Sequence, residues 1–148
     1  MHNFIAYRPP RIAMSFVLIA LVANAFVPLP MHASLTFVAA LTGLTGCFLM
    51  IRAWWLFKLV DTAICPTQSA NSLVTHGVFS ITRNPMYLGI FLMLVGLAMA
   101  TRSAPFYVAA AGFGVVMDRV FCPYEEQKSV AEFGEGYLAY RRRVRRWL

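Results

Sequence analysis

Leu35 to Phe57 reads LTFVAALTGLTGCFLMIRAWWLF, and this run decides the fold class. Its one charged residue is Arg52. A helix that crosses a bilayer needs roughly 20 apolar residues, each adding 1.5 Å, and this run supplies them. Ile12 to Leu29 qualifies in the same way. Two further apolar runs are shorter: Met86 to Ala100, and Pro105 to Met117 extended by Val120 and Phe121. These cross by recruiting flanking residues, or they form a tight hairpin whose ends line a water-accessible cavity; bilayers tolerate mismatch of this size. Composition agrees, since 59% of residues are hydrophobic and 13% charged, with mean hydropathy +0.64, where a soluble domain carries about 25% charged residues. The sequence therefore predicts an all-α, polytopic membrane protein. It has about four transmembrane helices near 12–29, 35–57, 85–100 and 105–121, in one domain over 1–148.

Arg8 and Arg11 precede the first run, as they would in a secretory signal, but the run closes on Val27-Pro28-Leu29-Pro30 with no convincing small-x-small cleavage site. It reads as a retained helix. Basic residues then set the orientation. Arg8 and Arg11 lie before the first helix, Arg52, Lys58 and Arg83 lie around the link between the second and third, and Arg119 and the whole tail follow the fourth. The opposite links, Pro30 to Ser34 and Thr101 to Ala104, hold only Arg102. The positive-inside rule puts both termini and the long middle link in the cytoplasm.

The net charge of +7 does not describe a nucleic-acid surface, because five of the thirteen basic residues sit in Arg141-Arg142-Arg143-Val144-Arg145-Arg146, followed by Trp147 and Leu148. On a helix, Tyr137, Tyr140 or Arg141, Val144, and Trp147 or Leu148 share a stripe flanked by arginines. That pattern predicts an amphipathic helix on the cytoplasmic membrane surface, drawn to anionic headgroups by about 1 kcal/mol per basic residue. Cys47, Cys65 and Cys122 are scattered, as are His2, His32 and His76. Neither set has the spacing of a disulfide framework or a metal site, and no structural metal is expected. The middle link, Asp61 to Thr82, begins as a polar loop containing Pro66, Gln68, Ser69, Asn71 and Ser72 and turns apolar over Leu73 to Phe79. It is expected to fold back over the cytoplasmic mouth.

Two polar clusters stand at the water ends of these runs. In Arg83-Asn84-Pro85-Met86-Tyr87-Leu88-Gly89, Asn84 and Pro85 have the form of a helix cap and first turn, Arg83 can snorkel to the headgroups, and Tyr87 can be an interfacial aromatic. The same cluster combines a cation with exposed helix N–H groups, which suits a carboxylate or phosphate, and Gly89 permits a close backbone approach. In Pro123-Tyr124-Glu125-Glu126, adjacent acids point about 100° apart on a helix. One can face water while the other turns inward, where it needs a cation such as an ammonium or sulfonium.

Gly77 to Gly89, an apolar hairpin, Glu125-Glu126, and Phe133-Gly134-x-x-Tyr137-x-x-Tyr140 with a basic end together resemble the C-terminal half of the integral-membrane methyltransferases. These include isoprenylcysteine carboxyl methyltransferases and phospholipid N-methyltransferases. The resemblance covers 73–148. It implies S-adenosylmethionine bound between the arginine-proline segment and the double glutamate. On this reading Glu125 or Glu126 takes the ammonium. Arg83, the N–H groups at Asn84, Met86 and Tyr87 beside Pro85, and Arg141 or Arg145 hold the carboxylate, while Tyr87, Phe133, Tyr137 and Tyr140 wall the cofactor. Prenylcysteine enzymes typically carry histidine where this chain has Asn84, so Asn-Pro-Met-Tyr is closer to the phospholipid enzymes and their small bacterial-type relatives. The implied substrate is a lipophilic or lipid acceptor entering from the bilayer, beside the second helix, where Gly43 and Gly46 permit close packing or an opening. A carboxylate or thiolate acceptor needs no base, whereas a protonated amine would draw on Asp118 or the spare glutamate, with Glu126 a candidate. Asp118 and Arg119 can equally form an interfacial pair. Two other classes share features with the chain. One is a non-catalytic membrane scaffold. The other is an NADPH-dependent reductase, because sterol reductases share a similar Arg-x-Pro-x-Tyr-x-Gly segment.

Overall fold

The computed structural model describes residues 9–26, 36–60 and 72–148, and they are helical with connecting turns. The elements are α1 (Pro9–Phe26), α2 (Thr36–Leu59), a 3-10 turn (Gly77–Ser80), α3 (Pro85–Thr101), α4 (Ala104–Val116), a π turn (Met117–Phe121) and α5 (Cys122–Arg143). The Pro30 to Ser34 link, the polar loop from Asp61 to Asn71, Cys65, His2 and His32 lie outside the described residues. So do residues 27–29, the expected end of the first helix.

Among the described residues three helices are long and apolar enough to cross a membrane: Pro9–Phe26, Thr36–Leu59, and Ala104–Arg143, which is bent at Gly134, while Pro85–Thr101 is a shorter apolar helix. The chain is thus an all-α polytopic membrane protein. The fourth apolar run ends at Phe121, but its helix does not, because α4 passes through the π turn directly into α5. From Ala104 to its break at Gly134 this helix has about 30 residues and is about 45 Å long, half as long again as the ~30 Å hydrocarbon layer. Its apolar part, up to Phe121, can cross. The part carrying Glu125, Glu126, Lys128, Glu132 and Glu135 extends beyond the crossing.

Small residues set the packing. A Cβ on Gly46 would lie 2.4 Å from the Gly89 carbonyl oxygen, one on Gly89 would lie 2.6 Å from the Gly46 oxygen, and one on Gly96 would lie 2.8 Å from the Ala39 oxygen. α2 and α3 therefore meet backbone to backbone, in the largest contact between any two elements. Lipid offers no hydrophobic drive for helix association, so this close approach, with its dispersion contacts, is what holds the pair. Gly46 serves close packing here, whereas a Cβ on Gly43 would meet nothing within 4 Å. Gly89, expected at the ligand site, is spent on the same contact.

α4 packs against α1 and α3. Its Phe113, with Met117 and Phe121 of the π turn, is fully buried among Ala13 of α1 and Tyr87, Ile90 and Leu94 of α3. At one end of the bundle Ser103, ahead of α4, donates a hydrogen bond to Asn24 of α1. At the other end the 3-10 turn lays Val78 and Phe79 on Ala53 and Leu56 of α2. Residues 72–82 of the middle link therefore cover the end of the bundle where Arg83 stands. The outward faces carry Leu18, Ile19 and Val22 of α1, Phe37, Leu41, Leu44 and Phe48 of α2, and Val108 and Val115 of α4, all exposed. Such apolar exposure suits a lipid-facing surface.

Gly89→Val is expected to force α2 and α3 apart. The cost of such overpacking, about 1–3 kcal/mol, would appear as a lower thermal midpoint in detergent, with Gly43→Ala, which meets nothing within 4 Å, as the silent control.

Candidate functional site

The two polar clusters meet. Arg83 Nη2 lies 3.1 Å from Glu126 Oε1, and the side chains are only 9% and 7% exposed. A third segment joins them. Arg146 grips Glu126 with both arms of its guanidinium, Nε to Oε1 at 2.8 Å and Nη2 to Oε2 at 3.0 Å, a fork geometry that only arginine offers a carboxylate. Arg146 Nη1 donates to Asp118 Oδ1 at 3.1 Å and to the Asp118 carbonyl at 3.3 Å. Trp147 Nε1 donates to the same Oδ1 at 2.9 Å, and Arg141 stands 3.9 Å from Glu126 Oε2.

This arrangement corrects the expectation for the tail. The helix stops at Arg143, Val144 is extended, and residues 144–148 turn back, so Arg146 and Trp147 lie inside the site and not along a membrane-surface stripe. The physical reason is charge. A buried carboxylate needs cations, and Arg146 meets two acids at once. Backbone contacts fix the fold-back: the Arg83 N–H donates to the Arg145 carbonyl at 3.0 Å. The Thr82 hydroxyl and the Asn84 side-chain amide both donate to the Arg146 carbonyl, at 2.9 and 3.2 Å. Asn84 therefore does not cap α3 with its side chain, although it holds the cap position and Pro85 opens the helix as expected.

Of the two acids, Glu126 turns inward and is 5% exposed. Glu125 accepts a hydrogen bond from the Tyr87 hydroxyl, which ties α5 to α3 a second time. Burial disfavours the Glu126 charge, yet the Arg146 hydrogen bonds and the nearby Arg83 outweigh it, so its carboxyl is held below the ordinary carboxylate range. The Glu126 hydrogen bonds likewise strengthen the hold of Arg146 on its proton. Asp118 also lies 3.4 Å from Arg119, the interfacial pair foreseen in the sequence.

The aromatic residues are placed differently from the expected cofactor wall. Tyr87 belongs to the core around Phe113. Tyr140 donates to the Phe79 carbonyl at 2.6 Å, and Tyr137 packs edge-on to it with ring centres 6.0 Å apart. Phe133 is half-buried just before Gly134, whose φ of 53° and ψ of −128° break α5. That conformation belongs almost only to glycine, and the bend is what allows α5 to return toward the 3-10 turn. Next to the ion cluster lies a cavity of about 320 Å³ lined by Pro123, Glu126, Gln127, Val130, Arg141 and Arg146, within the range of small-molecule sites. Met86 packs against both buried clusters. Among the described residues no three His, Cys, Asp or Glu side chains gather as a metal would require.

Arg146 and Trp147 are the site residues that sequence reasoning missed, because a run of arginines carries no mark of which one turns inward. One feature does point to a ligand. Arg83 Nε and Nη1 are buried and have no hydrogen-bond partner, an arrangement that normally costs free energy unless a partner arrives.

A family model described as phospholipid methyltransferase matches residues 34–135, more than half of the chain, and the protein belongs to that family. It is similar to two proteins of Arabidopsis thaliana, Protein-S-isoprenylcysteine O-methyltransferase B, 36% identical over 80 residues, and Protein-S-isoprenylcysteine O-methyltransferase A, 38% identical over 76. These matches take in 52% and 49% of this chain and 39% and 37% of the plant proteins, so the chain spans less than two fifths of either relative's length. No solved structure matches the chain.

Glu126→Gln leaves Arg83 buried without its counter-ion, and a stability loss of about 3 kcal/mol is expected in chemical unfolding. The pH dependence has a fixed sign. The folded pKa is depressed, so the stabilisation is complete above the unfolded carboxylate value of about 4.3 and is lost as pH falls through the lower folded value. The wild type should lose stability over that acid range more steeply than Glu126→Gln.

Proposed function

We propose that this chain is an S-adenosylmethionine-dependent methyltransferase acting on a lipophilic or membrane-embedded acceptor, a lipid amine, carboxylate or thiol. The cofactor-binding half is 73–148, and the site opens on the cytoplasmic side, where Arg11, Arg52, Lys58, Arg119 and the tail arginines favour that face. The observation that carries the reading is the buried pair of Arg83 and Glu126, one with its Nε and Nη1 lacking hydrogen-bond partners and the other an ionised carboxylate. Opposite charges held this close match the carboxylate and ammonium of an α-amino acid, the part of the cofactor a protein can grip most firmly.

The residues present fit the group. Arg83, assisted by Arg141, would hold its carboxylate, and Glu126 would hold its ammonium. When bound, S-adenosylmethionine supplies an activated methyl on a sulfonium, and transfer is a displacement in line with the breaking S–C bond. The protein's task is then mainly to position the two partners and exclude water. Burial of Glu126 and Arg83 strengthens their grip by removing competing solvent. The Tyr87 hydroxyl fixes the Glu125 carboxylate, and the close contact of α2 with α3 holds the arginine-proline segment rigid.

An amine acceptor needs its proton removed before it can attack. Asp118 is taken by Arg146, Trp147 and Arg119. Glu125, with Tyr87, is the better-placed base of the two.

Titration calorimetry of the detergent-purified protein with S-adenosylhomocysteine tests this reading. Micromolar binding is expected, lost on replacing Glu125 and Glu126 together by Gln and weakened at least about tenfold by Arg83→Ala, consistent with losing a charged hydrogen-bond donor. Absence of binding to folded wild-type protein would reduce the family likeness to one of fold and favour a scaffold.

A further inference from the structure

Glu126 has little capacity left for a ligand. A carboxylate offers about four acceptor positions. Oε1 already receives Arg83 Nη2 at 3.1 Å and Arg146 Nε at 2.8 Å, and Oε2 receives Arg146 Nη2 at 3.0 Å with Arg141 at 3.9 Å. Arg141 at 3.9 Å is beyond hydrogen-bond reach, so an arriving ammonium finds one open position on Oε2, and a hold on both oxygens requires a guanidinium to leave. Arg83 is poorly suited to leave, since its side chain is 9% exposed and its backbone leads directly into α3. Arg146 is 28% exposed and follows the end of the last helix, at Arg143, on a segment held by a few hydrogen bonds and one indole.

We infer that Arg146 is a displaceable internal cation that occupies the ligand's place on Glu126, so that binding of an α-amino acid group releases residues 144–148 from across the site. The inference rests on the proposed function for the identity of the ligand. Arg146 keeps the buried Glu126 and the partly exposed Asp118 neutralised when the site has no cationic guest, which spares Glu126 the cost of an unpaired buried charge. The same contact lowers apparent affinity, because only the fraction of molecules with the tail released can bind, and the dissociation constant rises in inverse proportion to that fraction. Release also frees Trp147 from Asp118 and from the Phe113 core that it packs against. The ligand thereby unlocks the cover over its own site.

The test uses the full chain with Trp54→Phe and Trp55→Phe, which leaves Trp147 as the single emitter of the three tryptophans. S-adenosylhomocysteine is the probe, and Arg146→Gln is the variant, retaining the backbone bonds of residue 146 to Thr82 and Asn84. Expected are a red shift of Trp147 emission on saturation and about tenfold tighter binding in the variant. Weaker binding in Arg146→Gln, or binding to the parent with Trp147 emission unmoved, overturns the inference and makes Arg146 a fixed part of the site. Should Arg146→Gln unfold, the emission change in the parent still decides. No binding to either protein overturns the proposed function itself, and the internal-competitor role falls with it; binding to the variant alone supports both.

Discussion

One buried carboxylate joins three distant parts of this chain. Glu126 on α5 holds Arg83, which introduces α3, and Arg146, three residues past the end of α5. A charge in so apolar a surrounding is tolerated only when its partners are close and well oriented. That requirement explains why the tail turns back, why Thr82 and Asn84 spend their side chains on a backbone carbonyl of the tail, and why Asp118 is drawn into the same network. This end of the bundle is organised by that demand, as the bodies of α2 and α3 are organised by glycine contacts.

The two forms of order depend on each other. α3 places Arg83 correctly only because Gly46 and Gly89 let its backbone lie against α2. α5 presents Glu126 inward only because the helix that begins at Ala104 continues without interruption through the π turn. π turns widen a helix and shift the face its later residues present, and they recur at functional sites. Here the turn contains Asp118, so the same irregularity that redirects the helix also supplies the second acid for Arg146.

Much of this was legible in the residues. The run from Leu35 to Phe57 specified a membrane helix by length and composition alone, and Asn84-Pro85 marked the start of α3. The meeting of the arginine-proline segment with the double glutamate followed from both lying at the same membrane face, one before the third helix and the other after the fourth. What was not legible depended on direction. Which glutamate turns inward is a matter of helical phase, and that phase is altered by a π turn that no residue type announces. A stretch of six residues with five arginines looked like a surface helix, because periodicity cannot show that Val144 leaves the helix and returns Arg146 to the interior. The aromatic residues were assigned to a ligand, whereas Tyr87 and Tyr140 are occupied by protein partners. Gly89 was read as room for a guest, and a neighbouring helix fills that room.

The proposed role of the Glu126 carboxylate is tested by transfer of a labelled methyl group. Purified protein in lipid vesicles would be incubated with S-adenosylmethionine carrying a radioactive methyl, and label in the organic extract would be compared between wild type and Glu126→Gln, both checked for folding. The account predicts label in the wild-type extract and none above background in the variant. Equal label in both, or none with either, would contradict it.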